Sequence, residues 1–203
     1  TFADTSLNDN RTTSVVTFTF SEPVSDFTAD DVSLTGGSLS AFTSIDASQY
    51  TATFTADDDI ESPGMVMVGA EYTDLAGNPG TGGTSSIDID TQNPSVTVDL
   101  VETSLSDSRR SSRVVIQFTE VVSGFDESDI SVSGGTLTGF RSMSSTEFTA
   151  TFTSSDDLTG TGSVSVSGQY TDLAGNTGNA VTDTTVIDTA NPTVTIDILD
   201  DSL

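Results

Sequence analysis

The feature that most constrains the fold is a self-similarity with a period of 98 residues. The heptad YTDLAGN stands at Tyr72–Asn78 and again at Tyr170–Asn176. The same shift aligns DTQNPSVTV at Asp90–Val98 with DTANPTVTI at Asp188–Ile196. A fixed period is the signature of tandem structural units. The chain therefore holds two repeats and a remainder, and each repeat is long enough for a small domain.

The period also predicts the domain boundaries. We predict a first domain at 1–90, whose first strand is truncated because Thr1 aligns with Asp99. A second domain follows at 91–188. Residues 189–203 are then a linker with the first strand of a following repeat, as expected of a window from a longer array.

Apolar residues alternate with a period of two within each repeat. VVTFTF, for example, places Val16, Phe18 and Phe20 on one face and threonines on the other. This pattern is typical of half-buried antiparallel strands. About seven strands in the second repeat favour an all-β fold of two tandem immunoglobulin-like sandwiches, with Phe and Tyr filling the core in place of the absent Cys and Trp. The predicted strands are 95–101, 113–119, 130–133, 137–143, 147–153, 163–171 and 180–188.

Charge excludes several classes of function. Asp and Glu number 31 against 5 Lys and Arg, a formal charge of −26, which disfavours nucleic acid and anionic lipid and favours cations. The lack of His and Cys removes imidazole and thiolate ligands and the commonest general base. The acidic residues recur at the same offsets in both repeats and fall in predicted loops, so we expect no enzyme, glycosidases included. No apolar run is long enough for a membrane span, so we expect no membrane insertion.

Several motifs together carry a family resemblance. The series VVTFTFSEPVSDF, a Gly-Gly turn, TATFT, YTDLAGN and DTQNP resembles the bacterial Ig-like repeats of giant secreted surface adhesins of the RTX type. The resemblance covers nearly the whole chain. It implies a structural extender of a cell-adhesion and biofilm protein, extracellular and tethered to the outer membrane, in which calcium at the inter-domain junctions stiffens a rod.

A calcium site also follows from the residues themselves. Alternate loops of a seven-strand sandwich lie at the same pole, so the linker delivers Asp90 to the pole that carries Glu120 and Asp172. Clustered carboxylates repel each other unless a hard cation neutralises them, and calcium takes about 6–8 oxygen ligands. We predict one calcium ion held by these three carboxylates, with a carbonyl from Gln92 or the heptad loop, and with Asn176 ordering that loop.

The same residue types recur as half-sites. Glu22 and Asp74 need an upstream aspartate, and Asp188 needs a downstream partner, to complete a site of the same kind. A second acidic run at 57–59, matched by 156–157, is predicted at the opposite pole, where a hydrated loop is its simplest interpretation. The heptad has a plain alternative too, since DLAGN is a good turn sequence by itself.

Two other functions stay open from the sequence. One is an adhesive module that recognises a glycan or a protein through its loops, although the chain has no Trp and only 3 Tyr to build an aromatic platform. The other is self-association of acidic rods bridged by calcium. The short linker at Asn93-Pro94 has no Gly/Ser spacer, so the predicted partners are neighbouring repeats of the same chain in a monomeric rod.

Overall fold

The computed structural model of the chain describes residues 1–198. Two compact units form, the first from residues 1–94 with 171–177, and the second from residues 95–170 with those from 178 onward. Strands dominate both, and the helical residues among 1–198 are two short 3-10 turns, Ala29–Asp31 and Glu127–Asp129. Within residues 1–198 no helix has the length and apolar character that crossing a membrane requires. The predicted all-β fold class is confirmed.

The first unit contains two main sheets. In the order of hydrogen-bonded neighbours they are β1-β9-β7-β4 and β2-β6-β5, with β3 and β8 as a small separate pair. β1 runs parallel to β9, whereas the other pairs are antiparallel. The strands are β1 Ser6–Leu7, β2 Thr13–Thr19, β3 Val24–Ser25, β4 Val32–Thr35, β5 Gly37–Ser44, β6 Gln49–Ala56, β7 Gly64–Val68, β8 Thr73–Asp74 and β9 Gly83–Ile89.

The second repeat follows the same plan with one more strand. Its main sheets are β10-β12-β16-β15 and β11-β19-β17-β14, so the sheet that corresponds to β2-β6-β5 has four strands. The strands are β10 Val96–Leu100, β11 Ser104–Ser106, β12 Ser111–Phe118, β13 Val122–Ser123, β14 Ile130–Ser133, β15 Gly135–Ser142, β16 Glu147–Ser154, β17 Thr159–Val166, β18 Thr171–Asp172 and β19 Val181–Asp188.

Each unit has its own core, built from the inward faces of its strands. Val114 and Ile116 are fully buried, as the period-two pattern predicts. Aromatic rings fill the middle of the second core, where the Phe118 ring lies 4.8 Å from Tyr170 and 4.9 Å from Phe125 in edge-on contacts. Phe and Tyr thus occupy the centre of this sandwich, as predicted. Their edge-on contacts stabilise the fold beyond the burial of apolar area alone.

One predicted strand is misplaced. The predicted strand 95–101 is confirmed as β10, Val96–Leu100, after which the chain crosses to the other sheet and continues as β11, parallel to β19. The predicted strand 163–171 is shifted, since β17 already begins at Thr159 and ends at Val166. Residues 189–198 form no strand, and 199–203 lie outside the described residues.

A pair of glycines starts β15 and allows two strands to approach closely. Gly134 has φ +75°, a conformation that favours glycine. A Cβ atom on Gly135 would lie 2.3 Å from the carbonyl oxygen of Thr153 and 2.7 Å from the Phe152 ring. The second glycine is therefore required by packing, and the first by backbone conformation.

We predict that Gly135→Ala lowers the free energy of unfolding by about 1–3 kcal/mol, because overpacking pushes backbone against backbone. The matched control is Gly160→Ala in β17, where a Cβ would meet no atom within 4 Å. Urea denaturation followed by circular dichroism measures both. Equal effects of the two substitutions would contradict this account of the glycine pair.

Candidate metal centre

Asp172 organises the heptad loop of the second repeat. Its Oδ1 accepts the N–H groups of Gly175 at 2.6 Å and Asn176 at 2.9 Å. Gly175 has φ +97°, which permits the tight turn. In the first repeat Asp74 makes the same kind of turn, accepting the N–H groups of Ala76 and Asn78, both at 2.8 Å. DLAGN is thus a self-closing turn in both repeats, as its sequence alone indicates.

The two copies of the turn differ in their surroundings. Residues 171–177 pack with the first unit, and there Asp172 is 2% and Asn176 0% exposed. Asn78, the counterpart of Asn176, is exposed, and its side chain donates to Asp74 of its own loop at 2.6 Å. The same seven residues therefore form a solvated turn in one repeat and a buried contact in the other.

The side-chain amide of Asn176 connects three segments of the chain. Its Nδ2 donates to the carbonyl oxygen of Asp90 at 2.8 Å and to Oδ2 of Asp172 at 2.7 Å. The carbonyl oxygen of Gln92, at 3.2 Å, and Oδ1 of Asp90, at 3.3 Å, lie around the same nitrogen. Oδ1 of Asn176 accepts the N–H of Asp9 at 2.8 Å. Four oxygens thus surround an NH2 group that has only two hydrogens to donate.

Two further asparagines hold the outside of the loop, and sequence reasoning missed both. Nδ2 of Asn8 donates to the carbonyl of Ala174 at 2.6 Å, and Nδ2 of Asn10 donates to the carbonyl of Gly175 at 3.1 Å. Oδ1 of Asn8 also accepts the N–H of Arg11 at 2.9 Å, which fixes the turn after β1. The sequence gives no signal for this role, because asparagine is common in turns and the aligned Ser106 and Ser108 are two of many differences between the repeats.

Negative charge accumulates around Asp90. One carboxylate oxygen each of Asp90 and Asp172 lie within 4.8 Å of one another. The pKa of Asp90 is raised, first by burial, then by the charge of Asp172, with smaller contributions from Glu61 and Asp9. Each of these effects disfavours the ionised carboxylate. A cation at this place would remove the repulsion.

The oxygen atoms at this place are of the type that calcium takes. They are the carboxylates of Asp90 and Asp172 and the carbonyls of Asp90 and Gln92, and all of these groups lie around the Asn176 amide nitrogen, so an ion would bind beside the amide through their remaining lone pairs. Calcium prefers such a mixture of carboxylate and carbonyl oxygens. Since Oδ1 of Asn176 already accepts the Asp9 N–H, its contribution is to position these oxygens.

The remaining predicted ligands have separate surroundings. Glu120 follows β12 in the second unit and is half-buried; its role as a third carboxylate ligand stays a prediction. Glu22 is exposed, and Asp188 is exposed with its Oδ1 accepting the Thr159 hydroxyl at 3.1 Å. The pKa of Asp74 is lowered, first by the Asn78 side chain and then by main-chain N–H groups. The half-sites assigned to these last three residues stay predictions.

Comparison with known proteins identifies the family of both repeats. A family model described as a bacterial Ig-like domain matches residues 1–89 and again residues 90–187. No curated protein sequence matches the chain.

Solved structures of similar architecture include adhesins. The Escherichia coli adhesin FdeC is 15% identical with a TM-score of 0.47, over 92% of this chain and 62% of that chain. The Yersinia pseudotuberculosis adhesin InvE is 16% identical with a TM-score of 0.38, over 93% of this chain and 58% of that chain. The D00-D0 domain of intimin is 16% identical with a TM-score of 0.40, over 88% of this chain and 94% of that chain. This chain thus spans about six tenths of the first two, and likenesses of this size say nothing about what it binds.

We predict that Asn176→Ala lowers the free energy of unfolding by about 2–4 kcal/mol, because it leaves several buried hydrogen-bonding groups without a partner. Asn78→Ala, at the exposed equivalent position, should change it by about 0.5 kcal/mol or less. Chemical denaturation in the presence of a chelator measures both. A similar small loss in the two variants would show that the Asn176 contacts are not formed in solution.

The raised pKa of Asp90 sets the sign of a pH effect. The folded chain holds this proton more tightly than the unfolded chain, so the stabilisation is full below the ordinary Asp pKa of about 3.9 and is lost as pH rises through the raised folded-state pKa. With chelator present, the Asp90→Asn variant should have the same melting temperature as the wild type near pH 3.5. At pH 7 its melting temperature should be higher than that of the wild type.

The matched control reverses that sign. Asp74 has a lowered pKa, so its stabilisation is present above the ordinary Asp pKa and lost as pH falls through the lowered folded-state pKa. Asp74→Asn should therefore melt below the wild type at pH 7. Thermal melts of the three proteins across this pH range test both signs, and a lower melting temperature of Asp90→Asn at pH 7 would contradict the assigned repulsion.

Proposed function

The chain belongs to the bacterial Ig-like domain family, and on that premise we propose that it is an extender of a large bacterial surface adhesin. In this role the repeats are spacers, and calcium makes the connection between successive repeats rigid. The observation that carries the proposal is the buried Asn176 amide, which fastens the heptad loop of the second repeat to the main chain of Asp90 and Gln92.

The connecting segment itself is anchored, as a rigid spacer requires. Thr91 is 1% exposed, and its hydroxyl donates to the carbonyl of Asp57 at 2.9 Å and accepts the N–H of Ile60 at 3.1 Å. Thr189, one period later, is also 1% exposed and makes the equivalent bonds to Ser155 and Leu158, both at 3.0 Å. A fixed exit from each repeat supports a regular array.

The number of covalent connections supports the same role. The chain passes between the two units after residues 94, 170 and 177, because the heptad loop belongs to the first unit. The linker at residue 94 is one covalent connection between the units, and the two ends of the heptad loop, at residues 170 and 177, are two more. Asn8, Asn10 and Asn176 hold that loop by hydrogen bonds inside the first unit.

Calcium supplies what these contacts lack, which is neutralisation of charge. Asp90 and Asp172 would hold the ion together with main-chain carbonyls, and Glu120 is the third carboxylate that the sequence predicts. Without the ion, the like charges around Asp90 weaken the same contacts. The RTX type, the tether to the outer membrane and the part in biofilms rest on the sequence resemblance and belong to the proposal.

Calcium binding should stabilise the chain measurably. At a calcium concentration about 100 times the dissociation constant, the gain is about 2.7 kcal/mol. We predict a higher melting temperature with calcium than with chelator, and small-angle X-ray scattering that shows a narrower range of conformations with calcium. An unchanged melt and scattering profile would remove calcium from the proposal.

The repeat offers matched controls for each ligand. Asp90→Asn and Glu120→Gln should each weaken calcium binding by roughly tenfold or more, because calcium affinity follows the number of charged ligands. Asp188→Asn and Glu22→Gln make the same chemical changes one period away and should leave calorimetric titrations unchanged. If the control variants weaken binding equally, the ion lies elsewhere.

A further inference from the structure

One cross-strand pair of residues differs in character between the two repeats. In the first repeat Glu61 lies opposite Asp90 across an antiparallel bridge. In the second repeat Thr159 lies opposite Asp188, where β17 pairs with β19. The two pairs are one period of 98 residues apart. The aspartate therefore faces a carboxylate in one repeat and a hydroxyl in the other.

The backbone places the side chains of Glu61 and Asp90 close together. The hydrogen bonds of their bridge are made by the neighbouring residues, from the N–H of Ser62 to the Ile89 carbonyl at 3.1 Å and from the N–H of Thr91 to the Ile60 carbonyl at 2.8 Å. Glu61 and Asp90 are thus a non-hydrogen-bonded pair, the kind in which Cα atoms are about 4.5 Å apart and side chains are closest. Like charges that lie opposite each other in such a pair destabilise the folded chain.

The second repeat replaces this repulsion by a hydrogen bond. The hydroxyl of Thr159 donates to Oδ1 of Asp188 at 3.1 Å. An ionised glutamate has no hydrogen to donate, so Glu61 cannot make this bond. Oδ1 of Asp90 instead accepts two hydrogen bonds of 3.3 Å each, longer than the usual range of about 2.7–3.2 Å. Asp90 is therefore the more weakly satisfied of the two aspartates.

The charge of Glu61 reaches the candidate metal centre without being part of it. With Asp172 and Asp9, it is one of the three charges that raise the pKa of Asp90. Among residues 1–198, however, Glu61 is outside the group of carboxylates that contains Asp90 and Asp172 within 4.8 Å of one another. The Glu61 side chain is also exposed. It would thus act on a bound ion as a nearby charge and through Asp90.

We propose that Glu61 sets the strength of calcium binding at this centre through the negative charge that it places opposite Asp90. This inference rests on the proposed function, in which calcium binds at Asp90. Without the ion, the two carboxylates repel each other and lower the stability of the chain. With the ion, both carboxylates attract it. The same charge therefore destabilises the calcium-free chain and strengthens calcium binding, and Thr159 removes this effect from the second repeat.

A purely structural role of Glu61 would give a different pattern. If its side chain stabilised the bridge by packing, its replacement would lower the melting temperature with calcium and with chelator alike. A charge effect raises the melting temperature in chelator and weakens calcium binding. It also shrinks at about 1 M NaCl, where the screening length falls to about 3 Å.

Glu61→Gln removes the charge and keeps the size of the side chain. At pH 7 in chelator, its melting temperature should be higher than that of the wild type. In calorimetric titrations it should bind calcium about threefold more weakly, the scale of an interaction with an exposed charge. Glu61→Asp keeps the charge and should retain most of the affinity. The matched control is Glu71→Gln, which should have neither effect, because Glu71 is also exposed but follows the other end of β7.

The second repeat allows the reciprocal exchange. Thr159→Glu places a carboxylate opposite Asp188 and removes the hydroxyl that donates to it. In chelator this variant should melt below the wild type, whereas Glu61→Thr, the opposite exchange in the first repeat, should melt above it. Equal signs for the two exchanges would contradict the repulsion assigned to the Glu61–Asp90 pair.

The outcomes separate this inference from the proposed function. A wild type that binds no calcium would contradict the proposed function. A wild type that binds calcium, together with a Glu61→Gln variant that binds it as tightly or melts no higher in chelator, would overturn this inference alone. Equal weakening of calcium binding in Glu71→Gln would show a general effect of net charge and would overturn it as well.

Discussion

The hydrogen bonds of one buried amide, that of Asn176, hold together the segments that form the candidate metal centre. They join the end of β9, the turn after β1 and the heptad loop, segments that are far apart in sequence. The heptad itself specifies only a turn, because Asp74 and Asp172 close their loops in the same way. The second copy differs because its loop packs against residues of the first unit, including Asn8 and Asp90.

Neutral hydrogen bonds and ionic repulsion oppose each other at this place. A buried amide with its partners in place stabilises the folded chain, and the same amide without them costs the desolvation of each group. The charges around Asp90 act the other way, since the pKa of Asp90 is raised first by burial and then by the carboxylate of Asp172. The like charges therefore oppose the hydrogen bonds of the amide, and a bound cation would remove that opposition.

The period-two alternation of apolar residues predicted the core positions of the strands but not every strand. The period-two pattern placed Val114 and Ile116 in the core, because inward positions of a strand are set by local alternation alone. It did not predict β11, whose three residues are held by parallel pairing with β19, a tertiary contact without a local signal. It also extended β17 past Val166, because alternation continues to Tyr170, whose ring is buried although the strand has ended.

The site shows the same division between local and tertiary information. The offsets of the repeat, with the rule that alternate loops share a pole, selected Asp90, Gln92, Asp172 and Asn176, and the structure brings these four together. The asparagines after β1 were missed, since asparagine is ordinary in a turn. Their counterparts in the other repeat are Ser106 and Ser108, which are two of many differences between the repeats.

The exchange rate of one backbone amide reports directly on whether the heptad loop is held by Asn176. The N–H of Asp9 donates to Oδ1 of Asn176, whereas its counterpart Asp107 lies in an exposed turn. Hydrogen exchange measured by NMR should show strong protection of the Asp9 amide relative to the Asp107 amide, and greater protection with calcium than with chelator. Exchange of Asp9 as fast as that of Asp107 under both conditions would show that the heptad loop is not fastened to the first unit.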